Sequence, residues 1–310
     1  MNVGSLAFLY PGQGSQVPGM LHDLPDYPAV KLTLDAAADI AGDIDELDSV
    51  VALRSSSNSQ LALLICGVAI TQAFTEDLDI RPEIVAGHSV GAFAAAVAAG
   101  VLTFREALDA VRLRGQLMDQ ACASGQWGMA AITGLRLRQV RNLLGTLDID
   151  SDHLWIANIN SDDQIVIAGT AAGLSSAGQA ARRAGARQFQ PLDVDIASHG
   201  PLQRKTASAL AAHLADIPLR TQSAAYFTNT GARRILNDAR LVLDDLAQSV
   251  AQPVHWYDIA RLLPEFGVTV AVQMPPGHVL SRLAHTAAPQ LATLSPADEG
   301  VPRTVARLGR

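Results

Sequence analysis

Short apolar runs that end at glycine alternate with longer stretches of helical spacing through most of the chain. That alternation is the pattern of a parallel sheet with helices on both faces. The first run, Ser5 to Tyr10, stops at Pro11-Gly12-Gln13-Gly14 and predicts a buried strand closed by a tight loop. Residues 29–74 carry helical patterns with polar breaks, and 54–59 reads as a loop leading into an apolar helix over 60–76. A second strand, Glu83-Ile84-Val85-Ala86, runs straight into Gly87-His88-Ser89-Val90-Gly91 and then the small, helix-forming residues 92–99. Thr103 and Glu106 form a capping box. The helix it opens has apolar positions Phe104, Ala107, Leu108, Val111, Leu117 and Met118 at helical spacing.

The texture changes after Trp127. Strand candidates at 129–133, 164–168 and 187–192 alternate with helical stretches at 136–144 and 171–184. This β-α-β-α-β order is enough for a small inserted α/β unit. The first pattern resumes at Ser198, with strands expected at 225–228 and 269–273, and the tail after Pro289 is polar and reads as loosely packed.

The chain has 310 residues, twice a typical domain of ~150, so one large unit or two fused ones are expected. A 49 % apolar and 17 % charged composition supplies a core and excludes disorder, at a mean hydropathy of +0.18. The net charge of −7, with lysine only at positions 31 and 205, excludes a polyanion-binding stripe. Cys66 and Cys122 match neither a disulfide framework nor a metal knuckle, and no cluster has metal-ligand spacing. The start lacks a secretory pattern, and the apolar run 61–74 is too short to span a bilayer, so a cytoplasmic protein off the membrane is expected.

Gly87-His88-Ser89-Val90-Gly91 matches G-x-S-x-G between a strand and a helix, the context of a nucleophile elbow. The turn would present the Ser89 hydroxyl at a helix N-terminus, where free N–H groups favour developing negative charge. Eight histidines compete to be its base. His22, His153, His213 and His285 lie in polar contexts, and His88 points away if the serine points in. His199, in Ala197-Ser198-His199-Gly200-Pro201 where the core resumes, is favoured over His255 and His278. Arg114 falls on the apolar stripe of its helix and must find a partner, either a protein carboxylate or an anionic substrate. The Gly12-Gln13-Gly14 loop lacks a phosphate-loop lysine but frees backbone N–H groups for a ligand.

Taken together, Pro11–Gln16, Gly87–Gly91, Arg114-Gly115, Ser198-His199 and Pro275–Leu280 resemble the malonyl-CoA:acyl-carrier-protein transacylases over about residues 5–285. The resemblance implies an α/β fold: an α/β-hydrolase-like core with a parallel sheet (1–127 and 198–310) and a ferredoxin-like subdomain (128–197). It implies Ser89 as acylated nucleophile, His199 as its base, Arg114 on the malonyl carboxylate, and the N–H groups of Gln13 and Val90 as oxyanion hole. A main-chain carbonyl near Gln248-Ser249 would orient the histidine, with His88 in support. Malonyl-CoA would be the substrate, without a tightly bound cofactor, and a carrier protein with a phosphopantetheine-type arm the acceptor. Arg182, Arg183 and Arg187 are candidates for the CoA phosphates, although a solvated helix face fits them better.

Three departures narrow the resemblance. Ala92 follows the elbow where the fatty-acid members usually have Glu, Met274-Pro275-Pro276-Gly277 replaces Gly-Pro-Gly, and Met20–Pro25 follows the first loop. These resemble the epsilon subunit of biotin-independent malonate decarboxylase, whose carrier subunit bears a phosphoribosyl-dephospho-CoA arm and which implies further decarboxylase subunits as partners. The alternatives are the fatty-acid-synthesis transacylase and a serine acyl-thioester hydrolase; a non-catalytic carrier-docking protein would tolerate loss of Ser89 or His199.

Overall fold

The computed structural model describes residues 5–147 and 153–309. Its strands, in chain order, are β1 (Ser5–Tyr10), β2 (Ile84–Gly87), β3 (Trp127–Thr133), β4 (Trp155–Ile159), β5 (Gln164–Thr170), β6 (Gln188–Pro191), β7 (Ala225–Phe227), β8 (Arg234–Ile235), β9 (Val268–Gln273) and β10 (Ala292–Leu294). A six-stranded sheet has the order β10-β9-β1-β2-β7-β8, parallel throughout except for β8 against β7. Period-two alternation explains its two-sided core. Phe8, Val85 and Tyr226 face the helices Ser56–Gln72, Gly91–Ala98 and Phe104–Cys122; Leu9, Ala86 and Phe227 face Trp256–Glu265 and Val279–Ala287. At the C-terminal edge Tyr10 is in register with Gly87, so the loops after β1 and β2 emerge side by side. Ligands of open α/β sheets bind at that edge.

The second sheet is antiparallel, in the order β4-β5-β3-β6. It holds a strand that the sequence pattern did not resolve, β4, so its element order is β-α-β-β-α-β. Ile132, Ile165 and Ile167 pack under its two helices, Leu137–Leu144 and Ala171–Arg183. Its opposite face, with Met129, Val166 and Ala168, packs on Ala197 of the segment returning to the large sheet. β4 also reaches across: Ile159 N–H donates to the Val254 carbonyl at 2.8 Å and Val254 N–H to the Ala157 carbonyl at 2.9 Å.

Two other expectations change. The apolar helix starts at Ser56, because Ser55 caps it by accepting from Asn58 N–H, so most of the expected loop is its first turn. With the π turn Ala73–Asp77 the helical run reaches 22 residues, long and apolar enough to cross a bilayer; 83 % of its most apolar window is buried in the molecule. The tail is not loose. β10 extends the sheet, the helix Val301–Arg307 follows, and Leu294, Val301 and Thr304 are buried.

Candidate active site

Gly91 sets the elbow. A Cβ there would lie 2.2 Å from the Tyr10 carbonyl oxygen, so only glycine lets the helix Gly91–Ala98 start against the end of β1. Within that turn Ser89 adopts φ 54°, a left-handed conformation unusual for serine that persists only where neighbours enforce it. Its Oγ lies 2.9 Å from Nε2 of His199 and accepts from Nη2 of Arg114 at 3.0 Å. His199, also left-handed at φ 60°, is held by its N–H to the Val250 carbonyl at 2.7 Å. Its Nδ1 donates to the Ser249 carbonyl at 2.6 Å. That bond fixes the proton on Nδ1 and leaves Nε2 to accept from Ser89, whose oxygen is already an acceptor for Arg114. Burial, with the Arg114 charge adding to it, lowers the pKa of His199 to about 3, so the ring is neutral at pH 7 and the Nε2 lone pair is unprotonated.

Arg114 is 1 % exposed, and among the described residues no carboxylate pairs with it. Nη1 donates to Gln60 Oε1, Nη2 to Ser89, and the buried Nε has no partner among the described residues. Burial lowers its pKa to about 10, still protonated at pH 7. A desolvated cation beside the Ser89 oxygen, held by neutral groups among the described residues, is able to accept an anion. Gln60, absent from the residues singled out by sequence, also donates to Gln13 Oε1 at 3.2 Å and so ties the first loop to Arg114. Among the described residues no hydrogen bond occupies the N–H of Gln13 or Val90, which leaves both free for an oxyanion.

The other expected residues separate. Ser249, not the exposed Gln248, supplies the orienting carbonyl. His88 turns from the nucleophile to Asn160, Nε2 to Oδ1 at 3.0 Å, and packs against Trp256. His22, His255 and His278 pair with Asp48, Asp258 and Asp298, while His153, His213 and His285 are exposed. Arg182 and Arg183 are exposed, and Arg187 pairs with Asp163 at 2.7 Å. Among the described residues no cluster of three His, Cys, Asp or Glu could hold a metal. A cleft of about 790 Å³ reaches Gln13 and Ser56, and one of about 270 Å³ reaches His199 between Trp155 and Pro253.

The model of the acyl transferase domain family matches residues 7–298. The chain belongs to the acyl transferase domain family. It is 33 % identical over 295 residues to the malonyl CoA-acyl carrier protein transacylase of Haemophilus influenzae, covering 93 % of this chain and 94 % of that relative. The crystal structure of the acyl-carrier-protein S-malonyltransferase of Burkholderia pseudomallei superposes with a TM-score of 0.92 at 32 % identity, over 99 % of this chain and all of that one. A type II polyketide-synthase acyl-carrier protein in complex with its malonyl-transacylase superposes at 0.90 and 30 % identity, over 96 % of this chain and 99 % of that one. The acyl transferase fold therefore extends through both sheets of this chain.

Proposed function

We propose that this acyltransferase moves the malonyl group from malonyl-CoA to the thiol of an acyl carrier protein by way of a Ser89 ester. The observation that carries the reading is Arg114: a buried guanidinium with no carboxylate partner among the described residues, 3.0 Å from the Ser89 oxygen. Ser89 Oγ attacks the thioester carbonyl carbon as its proton passes to Nε2 of His199. The Gln13 and Val90 N–H groups hold the oxyanion, each such donor worth about 3 kcal/mol in comparable sites. On collapse the C–S bond breaks, and His199 returns the proton to the departing CoA thiolate. The carrier thiol then gives its proton to the same nitrogen and attacks the ester. The ester C–O bond breaks and Ser89 takes the proton back, which completes a ping-pong cycle. Arg114 holds the malonyl carboxylate through both halves. We assign the nucleophile and histidine to the core (1–127 and 198–310), the second sheet, apart from Trp127 at the start of β3, to the ferredoxin-like subdomain (128–197), and the reaction to the cytoplasm.

The relatives support an acyl carrier protein as acceptor, as in fatty-acid synthesis, over the priming of malonate decarboxylase. The decarboxylase reading keeps one specific observation. Ala92 is fully buried beside the elbow where the fatty-acid members usually have Glu. Intact-protein mass after mixing with malonyl-CoA tests the whole scheme. A malonyl adduct is expected that is absent in Ser89→Ala and that an acyl carrier protein discharges. Loss of the adduct to water alone makes the protein a hydrolase, and no adduct at all returns it to a docking role. Discharge only to a carrier with a phosphoribosyl-dephospho-CoA arm restores the decarboxylase reading.

A further inference from the structure

The three residues that enter the elbow are spanned by one buried side chain from a different strand. Asn229, fully buried just after β7, accepts from Ser89 N–H on Oδ1 at 2.9 Å and donates from Nδ2 to the Gly87 carbonyl at 2.8 Å. A single amide thus closes the turn at both ends, across 140 residues of sequence. Its own backbone is pinned as well. The Asn229 carbonyl accepts from His255 N–H at 2.9 Å, and Asn229 N–H donates to Asp245 Oδ2 at 2.9 Å. Asp245 is 4 % exposed and accepts also from the Tyr226 hydroxyl at 2.8 Å, Thr230 N–H at 3.0 Å and the Thr230 hydroxyl at 2.7 Å. A buried carboxylate that spends both oxygens on four neighbouring donors is a rigid anchor, because loss of any bond leaves a desolvated group unpaired.

We infer that Asn229, anchored by Asp245, is a positioning residue that holds Ser89 in its left-handed conformation and so aims the nucleophile oxygen at His199. Left-handed serine is intrinsically disfavoured, and relaxation of Ser89 would swing Oγ away from Nε2 and turn the Val90 N–H with it. The inference rests on Ser89 as nucleophile, and it goes beyond that reading by naming what keeps the elbow armed.

The test is rapid-quench mass of malonyl-Ser89 formation at saturating malonyl-CoA, with rates normalised to the folded fraction from far-UV circular dichroism. Asn229→Ala is expected to acylate roughly 10²-fold more slowly, with the half-saturating malonyl-CoA concentration within about twofold, since a misplacement on the order of 1 Å costs that much. Asn229→Asp keeps the acceptor for Ser89 N–H but turns a carboxylate oxygen toward the Gly87 carbonyl. Protonation would restore the donor, so its rate relative to wild type is expected to rise as pH falls from 8 to 5. A purely structural asparagine would lower the folded fraction and leave the ratio flat. A wild-type rate in folded Asn229→Ala, or a flat ratio in Asn229→Asp, overturns the clamp while leaving the nucleophile in place. If Asn229→Ala does not fold, the pH ratio of Asn229→Asp decides alone. A wild-type protein that forms no adduct overturns both readings.

Discussion

At the scale of single residues the site is a balance between one buried cation and one neutral ring. Among the described residues Arg114 is held by the Gln60 and Ser89 oxygens rather than by a carboxylate, so under the proposed function a malonyl carboxylate would neutralise its charge and an acetyl group would not. Arg114→Ala is expected to lower the malonyl-to-acetyl preference by about 10²-fold or more, because rejection of acetyl rests on leaving that cation unpaired. Parallel adduct formation from malonyl-CoA and acetyl-CoA measures it, and an unchanged preference removes the carboxylate role. His199 makes a second prediction. Its folded pKa, about 3, lies below the ordinary histidine value near 6.5, so between those values the unfolded chain binds the extra proton. Stability is therefore lost as pH falls from about 6.5 toward 3, and His199→Asn should flatten that part of a melting-temperature profile. Equal slopes in the two proteins would show that the ring is not buried neutral. The elbow serine and the striped arginine were legible in the sequence because each carries a local signal, a G-x-S-x-G turn between a strand and a helix or a charge on an apolar face. Gln60 and Asn229 carry none, and the carbonyl near Gln248-Ser249 is reached only through the family resemblance. An amide inside a helix and an asparagine after a strand acquire meaning only when residues 54 and 140 positions away arrive.

At the scale of elements the site depends on how closely the helix after β2 approaches the end of β1. Two glycines separate the reasons a position needs glycine. At Gly91 a Cβ would meet the Tyr10 and Pro11 carbonyl oxygens at 2.2 and 2.7 Å, and backbone has nowhere to move. At Gly14 the backbone is left-handed, at φ 94°, but nothing lies within 4 Å. Gly91→Ala should cost about 1–3 kcal/mol of overpacking and also disturb the Gln13 loop, lowering both melting temperature and adduct formation. Gly14→Ala should cost only the left-handed penalty of about 1–2 kcal/mol, with acylation less affected. A reversed order in either readout would mean that the elbow is not held by that contact. The strands around these glycines were readable because each is an unbroken apolar run closed by a turn. β4 was not, since its half-buried Trp155 and Ile156 and buried Asn158 show neither clean alternation nor a continuous run. The tail misled for a related reason. Its buried positions, Leu294, Val301 and Thr304, are spaced among polar residues that face solvent.

At the scale of the whole molecule the second sheet is fastened to the catalytic loops themselves. Trp155 donates its ring N–H to the Ser198 carbonyl at 2.8 Å, one residue before His199. β4 pairs with the backbone around Val254, five residues beyond the Ser249 carbonyl that orients the histidine. Asn160, one residue past β4, meets His88 inside the elbow. One strand thus touches the nucleophile loop, the histidine loop and the segment that holds the histidine's proton. Chains longer than about 150 residues commonly unfold through intermediates, and a subdomain joined only by linkers would come apart first. Here its departure would break the site's own hydrogen bonds, so one cooperative transition is expected. The tryptophans make this measurable. Trp127 and Trp155 belong to the second sheet, whereas Trp256 is buried behind the first with its ring N–H unpartnered among the described residues, so Trp256→Phe removes the core reporter without orphaning a described bond. In that variant the fluorescence of the remaining two tryptophans and the far-UV signal of the core helices should share one midpoint in urea. A fluorescence transition at lower urea would show the second sheet opening by itself, with His199 losing its support while the parallel sheet stays folded. Coincidence would mean that any motion admitting a carrier arm moves the histidine and the nucleophile together, which couples entry of the acceptor to the geometry that must receive its proton.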